Sequence, residues 1–111
     1  MTKYVPDNWV VIKIYPEKSK PLYKVLGGWL GGYPYGDSWR MNSGIISVIE
    51  TDNYFHFEGS SGSDYRVNKK SYELSINTSG VWSALKAHLG DKVDIMPEDT
   101  NWIKIDWNTN D

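Results

Sequence analysis

Cysteine is absent from this 111-residue chain. Its absence excludes disulfides, thiolate metal sites and cysteine nucleophiles, and suits a reducing compartment such as the cytoplasm. Long apolar runs are missing as well, and none approaches the roughly 18 residues of a membrane-spanning helix. The opening MTKYVPDNW has no apolar stretch of signal-peptide type, so no secretory signal is expected. No charge sign dominates: 12 basic against 14 acidic residues leave a net charge of −2. A duplex-DNA binder resting on a basic face is therefore not expected. Histidine is scarce, with two residues, and leucine is sparse. The chain carries no P-loop, no GxGxxG after a strand, no EF-hand loop and no nucleophile elbow. The length suits one domain, 1–111, with a polar tail at 108–111.

Aromatic residues are abundant: six Trp, eight Tyr and two Phe. With the β-branched residues they favour strands, whose pleated surfaces they cover. In NWVVIKIY, Asn8–Tyr15, the residues Val10, Ile12 and Ile14 alternate with Trp9, Val11, Lys13 and Tyr15. That alternation predicts a strand. Leu22–Leu30 predicts a second strand antiparallel to it, and Gly27-Gly28 within it predicts a bulge or a close backbone approach. Residues 31–44 read as a long irregular connection. Ile45–Glu50 and Tyr54–Glu58 predict a hairpin closed by Asp52-Asn53, two residue types that tolerate positive φ. Gly59–Asp64 reads as a polar loop, and Tyr65–Val67 as a short strand; Ser71–Ile76 is ambiguous.

Thr78 or Ser79 can cap a helix of about ten residues whose C′ residue is Gly90. Val81, Trp82, Leu85, His88 and Leu89 share one of its sides. So short a helix must dock on the sheet to persist. Lys92–Met96 and, more clearly, Trp102–Trp107 read as strands. The expectation is a compact α+β domain, mostly antiparallel, with about six or seven strands and one short helix packed on the sheet.

One segment stands apart: GGWLGGYPYGDSWRMNSG, residues 27–44, holds six of the ten glycines together with Trp29, Tyr33, Tyr35 and Trp39. Glycine admits sharp turns and close ligand approach. Exposed Trp and Tyr offer flat faces that stack a base, worth about 1–3 kcal/mol each in single-strand binders. Arg40 adds a planar fork suited to phosphate or carboxylate. Asn42 and Ser43 add neutral donors and acceptors. The competing reading folds these rings back as a plug at one end of the sheet. A second cluster, GSSGSDYRVNKK at 59–70, joins Ser60, Ser61 and Ser63 to Arg66, Lys69 and Lys70. Its loop amides suit an anion-binding nest. The plainer reading is a hairpin loop with solubilising charges. If the 45–58 hairpin forms, residues 38–43 and 60–66 meet at one sheet end.

Catalytic constellations are thin. His56 alternates with Phe55 and Phe57 and so faces away from them, and His88 lies on the helix's apolar side. No spacing selects a Ser61–His56–Asp64 triad. No enzyme activity, catalytic residue, metal site or cofactor is expected.

The stretches VPDNWVVIKI, YKVLGGWLGGYPYGDSWRMNSGI and FEGSSGSDYRVNKKSYEL, over roughly residues 5–76, resemble small accessory proteins of tailed, T4-like phages. The resemblance implies a viral protein acting in the host cytoplasm against host defence. Some such proteins bind a host enzyme or effector. Others resemble nucleotide sponges, which sequester cyclic or ADP-ribose-derived signals without chemistry.

The reading that follows is a non-enzymatic binding protein that sequesters a nucleotide-type ligand. Trp39 with Tyr33 or Tyr35 would stack on the base, and Trp29 is a further candidate ligand-binding residue. Arg40, Arg66 and Lys69 would neutralise phosphate. Asn42, Ser43, Ser60 and Ser61 would supply polar contacts. A small monomer encloses a charged ligand poorly, so a homo-oligomer with shared pockets is expected. The alternatives are an inhibitor of a host protein, with the same rings as anchors, a minor virion or structural protein, and a salt-sensitive single-strand binder.

Overall fold

The computed structural model describes residues 2–17, 20–29 and 38–107. Among these residues are eight strands, one α-helix and two short 3-10 turns. The strands are β1 (Thr2–Tyr4), β2 (Asn8–Ile14), β3 (Leu22–Trp29), β4 (Ser38–Met41), β5 (Ile45–Glu50), β6 (Tyr54–Gly59), β7 (Ser63–Asn68) and β8 (Val93–Ile95), with helix α1 at Ile76–Leu89 between β7 and β8.

They form two four-stranded sheets, ordered β1-β7-β6-β5 and β4-β3-β2-β8. Every pairing within the sheets is antiparallel except β1 with β7. The expected α+β, mostly antiparallel architecture is the one observed.

The alternation in β2 explains the layering. Trp9 and Val11 face the other sheet and join Tyr23, Val25, Ile45, Phe57, Tyr65 and Val67 in one core. Val10 and Ile12 face the opposite way and join Leu26 and Val93 under the helix residues Val81, Trp82, Leu85 and Leu89. A central strand covered on both faces must be apolar on both where it is covered, and residues 9–12 of β2 are. Each well-buried side chain of this size contributes about 1.5–3 kcal/mol.

Glycine serves close approach at Gly28, not a bulge. A Cβ there would lie 2.6 Å from Ser75 Oγ and 3.0 Å from Thr78 Cγ2. The helix N-terminus therefore rests directly on β3. Its cap is Ser75 rather than Thr78 or Ser79: Ser75 Oγ accepts from the Thr78 amide, and the Thr78 hydroxyl accepts from the Ser75 amide at 2.7 Å. This reciprocal box starts the helix earlier than expected and lengthens it to 14 residues. Gly90 ends it at φ +58°.

The strand expected at Trp102–Trp107 is not formed. Trp102–Lys104 is a 3-10 turn, closed by the Lys104 amide on Asn101 O at 3.1 Å. The reason is packing. Trp102 and Trp107 are both buried in the inter-sheet core, 2.0-period alternation would send them to opposite faces, and a turn brings both inward. Ile103 is left half-exposed. Two short edge strands, β1 and β4, went unforeseen. The segment before the helix is not a strand; it meets β2 at an isolated parallel bridge, Trp9 with Tyr72.

Candidate functional site

β4 is the outer strand of its sheet, and its alternation divides the site in two. Met41 pairs with Leu26, which faces the helix. Trp39, two residues away, shares that face. Because Gly28 lets α1 sit close on β3, the helix runs beside β4 and leaves a groove between them. Trp39 and Met41 line one wall, and Gly80, Val81, Ala84, Leu85 and His88 line the other, around a volume of about 650 Å³. Among the described residues of that lining, the polar side-chain groups are the His88 imidazole and the Trp39 indole N–H. Trp39 is 48% exposed. A Cβ on Gly80 would meet nothing within 4 Å, so the helix wall is open there.

Ser38 and Arg40 point to the other face. With Tyr4, Trp29 and Trp39 they line a shallow pocket of about 300 Å³. Tyr4 and Trp29 meet edge to face at 6.3 Å, and the Arg40 guanidinium lies 4.5 Å from the centre of the Tyr4 ring. Behind Tyr4, the phenol of Tyr65 is pushed up to about 12, mainly by burial and against the nearby positive charge of Arg40.

Trp29, Trp39 and Arg40 thus gather at β4. Tyr33 and Tyr35 lie outside the described residues. Asn42 is 4% exposed; its Oδ1 accepts from the Val25 amide at 2.9 Å, and its own amide donates to Val25 O at 3.1 Å. It continues the β3–β4 ladder from inside the protein. Its Nδ2 has no hydrogen-bond partner among the described residues.

Ser43, Ser60 and Ser61 do come together. Ser43 Oγ lies 2.8 Å from Ser60 Oγ, donates to Ser61 Oγ at 3.1 Å and accepts from the Ser61 amide at 3.0 Å. Ser61 Oγ also lies 3.4 Å from Ser63 Oγ. These hydroxyls satisfy one another across the corner where β5 begins and β7 begins.

The cations do not converge. Arg66 stands on the outer face of β7, its guanidinium 4.6 Å from the Tyr54 ring centre. Lys69 binds Glu50 at 2.6 Å and lies 5.1 Å from the Phe55 ring centre. At about 3.3 Å per residue, Lys69 is some 20 Å along the chain from the serine corner. Arg40 belongs to the other sheet.

His56 faces away from the core as expected, into a shallow hollow with Ser47, Ile49, Thr51, Glu58 and Asp64. Ser47 Oγ donates to Glu58 there at 3.0 Å. Among the described residues no three His, Asp or Glu side chains group as metal ligands, and no helix is long and apolar enough to cross a membrane.

Gly80, Val81, Ala84, Leu85 and Met41 were not foreseen as site residues. The available signal was the small pair Gly80 and Ala84 one turn apart, on the same helix face as His88. No family model, no curated protein and no solved structure matches the chain.

Proposed function

We propose that this chain is a non-enzymatic binding protein that engages a partner protein through the groove between β4 and α1. The observation that carries this is an open groove of about 650 Å³ whose described lining is mainly apolar, with His88 among it and Trp39 half-exposed at its rim. Leaving such a surface uncovered costs solvation, which a docked apolar segment recovers. Tryptophan is the side chain most enriched at interface hot spots, where truncation costs about 2 kcal/mol or more. The occupant is a partner segment presenting apolar side chains. The resemblance to phage accessory proteins supports a host enzyme or defence effector as that partner.

Capture from host lysate with matched variants tests this. A protein retained by the wild type and lost with both Trp39→Ala and Ala84→Glu supports the groove. Equal recovery on all three chains overturns it.

A second reading uses the opposite face of β4. Tyr4 and Trp29 beside Arg40 put two aromatic rings and a guanidinium in the lining of one pocket of about 300 Å³. That combination suits a flat base bearing phosphate, and it supports sequestration of a nucleotide-type signal. It is the weaker reading because Arg66 and Lys69 are engaged elsewhere. A melting-temperature rise with cyclic or ADP-ribose-type nucleotides, abolished by Arg40→Ala, is its expected signature. No rise with any of them counts against it.

A further inference from the structure

Among the described residues β5 is an outer strand, paired with β6 alone. Its hydrogen-bond parity follows from the hairpin. The Thr51 amide donates to Tyr54 O at 2.9 Å. In the same register Ile49 opposes His56 and Ser47 opposes Glu58, two and four residues along. Those are hydrogen-bonded positions, so Val48 and Glu50 occupy the alternate ones. Their N–H and C=O groups point away from β6, toward the open edge. Among the described residues no backbone bond reaches either from elsewhere in the chain.

Open edges are commonly blunted by lysine, proline, inward charges or extreme shortness. The other three edges follow that practice. β1 has three residues and carries Lys3, β4 carries Arg40, and β8 has three residues with Asp94 at its centre. β5 has six residues, IISVIE, with no base and no proline. Its single irregularity lies at its start, between Ile45 and Ser47. Ile46 and Ile49 are 47% and 66% exposed.

We propose that β5 pairs with β5 of a second copy, antiparallel about a two-fold axis at Val48, so that two four-stranded sheets become one of eight. The edge is complementary to itself: at the axis each Val48 donates to and accepts from the other. On the outer face Ile49 then opposes Ser47 of the second copy. The two Ile49 side chains become diagonal neighbours with Cβ atoms about 7–8 Å apart, near enough to cover each other. The two Glu50 residues fall four positions out of register, more than a Debye length of about 10 Å apart. Each is also neutralised by its own Lys69 at 2.6 Å. The occupant is a second copy because one strand supplies both halves of the ladder, as an isologous interface requires. This pairing is independent of the Trp39 groove, which lies on the other sheet.

Sedimentation equilibrium from micromolar to millimolar protein tests it, together with amide exchange. A monomer–dimer equilibrium is expected, with exchange at Val48 and Glu50 slowing as concentration rises while Ile49 stays protected throughout. Val48→Pro removes a donor that β6 does not use, and a proline is tolerated at such an edge position; dimer should be lost with the far-ultraviolet spectrum unchanged. Ile49→Lys, which brings like charges together across the axis, should lose it as well. A chain that stays monomeric throughout overturns the proposal. So does a dimer in which Val48 and Glu50 exchange freely, or one that Ile49→Lys leaves intact. Binding of a different protein along β5 with no self-association overturns it too.

Discussion

Tyr72→Phe is the sharpest perturbation of this fold, because one hydroxyl completes a ladder that β8 leaves unfinished. The Met96 amide donates to Val11 O at 2.9 Å. The return bond, Val11 N–H to Met96 O, is not made directly. Instead the Val11 amide donates to the Tyr72 hydroxyl at 3.2 Å, and that hydroxyl donates to Met96 O. Val11 is fully buried, and the Tyr72 ring packs edge-on against Trp9 at 4.6 Å. Phenylalanine keeps the ring and removes the relay, leaving the buried Val11 donor and the part-buried Met96 acceptor without their partner. At about 1–3 kcal/mol for each orphan the loss is about 3 kcal/mol, or roughly 10 °C in melting temperature for a domain of this size.

The same hydroxyl predicts a pH signature. Burial, aided by the Glu98 carboxylate and opposed by the bond from Val11 N–H, pushes the Tyr72 phenol up to about 12, above the ordinary tyrosine value of about 10. Between those values the unfolded chain has released this proton and the folded chain still holds it. Stability is therefore full below pH 10 and falls as pH rises toward 12, by at most about 1.4 kcal/mol per pH unit for this group. Tyr65 adds a like fall in both proteins. The gap between wild type and Tyr72→Phe should therefore narrow above pH 10. Urea unfolding at pH 7 and at stepped pH above 10 reads both effects. A variant within about 0.5 kcal/mol of wild type at pH 7, the usual range of inconsequential surface changes, refutes the relay. A gap that stays constant through the alkaline range refutes the origin of the shift.

Gly80→Ala should stabilise the protein by about 0.5–1 kcal/mol in urea unfolding, since it replaces a helical glycine facing open space. Gly28→Ala should destabilise it by about 1–3 kcal/mol, because the new methyl strikes Ser75 Oγ at the helix cap; its effect should shrink when combined with Ser75→Ala. Trp39→Ala should shift the melting temperature little, since a half-exposed side chain loses little burial, which makes it a clean variant for binding experiments.

Much of this fold was legible in the chain. The strict alternation of Asn8–Ile14 gave both faces of the central strand, and Asp52-Asn53 gave the β5–β6 hairpin. Legibility failed where alternation and packing disagree. Trp102 and Trp107 lie an odd number of residues apart yet share one core, so a turn replaces the expected strand. It failed again at β4, whose four residues sit at the end of a glycine-rich stretch. The helix start moved to Ser75 because Thr78, which reads locally as a cap, is the reciprocal partner of one.

The candidate site was half legible. Trp29, Trp39 and Arg40 read as a cluster because they share one short glycine-rich segment, and the β3–β4 pair keeps them neighbours in space. Arg66 and Lys69 were grouped with them by sequence proximity to the serine loop, but strand geometry carries Lys69 to the far end of β7, where Glu50 holds it. The groove itself has no linear signature. It exists because Gly28 seats the helix close enough for Gly80 and Ala84 to face Trp39 and Met41.

The uncovered apolar groove is the claim on which the functional account stands, and indole N–H resonances test it directly. The chain has six tryptophans, and only Trp39 lies in the groove. Titrating the folded protein with the apolar dye anilinonaphthalene sulfonate should give saturable one-to-one binding that shifts the Trp39 indole resonance. The Trp9 and Trp102 resonances should stay in place, and Ala84→Glu should abolish the effect. No binding, or shifts that spare Trp39, would contradict it.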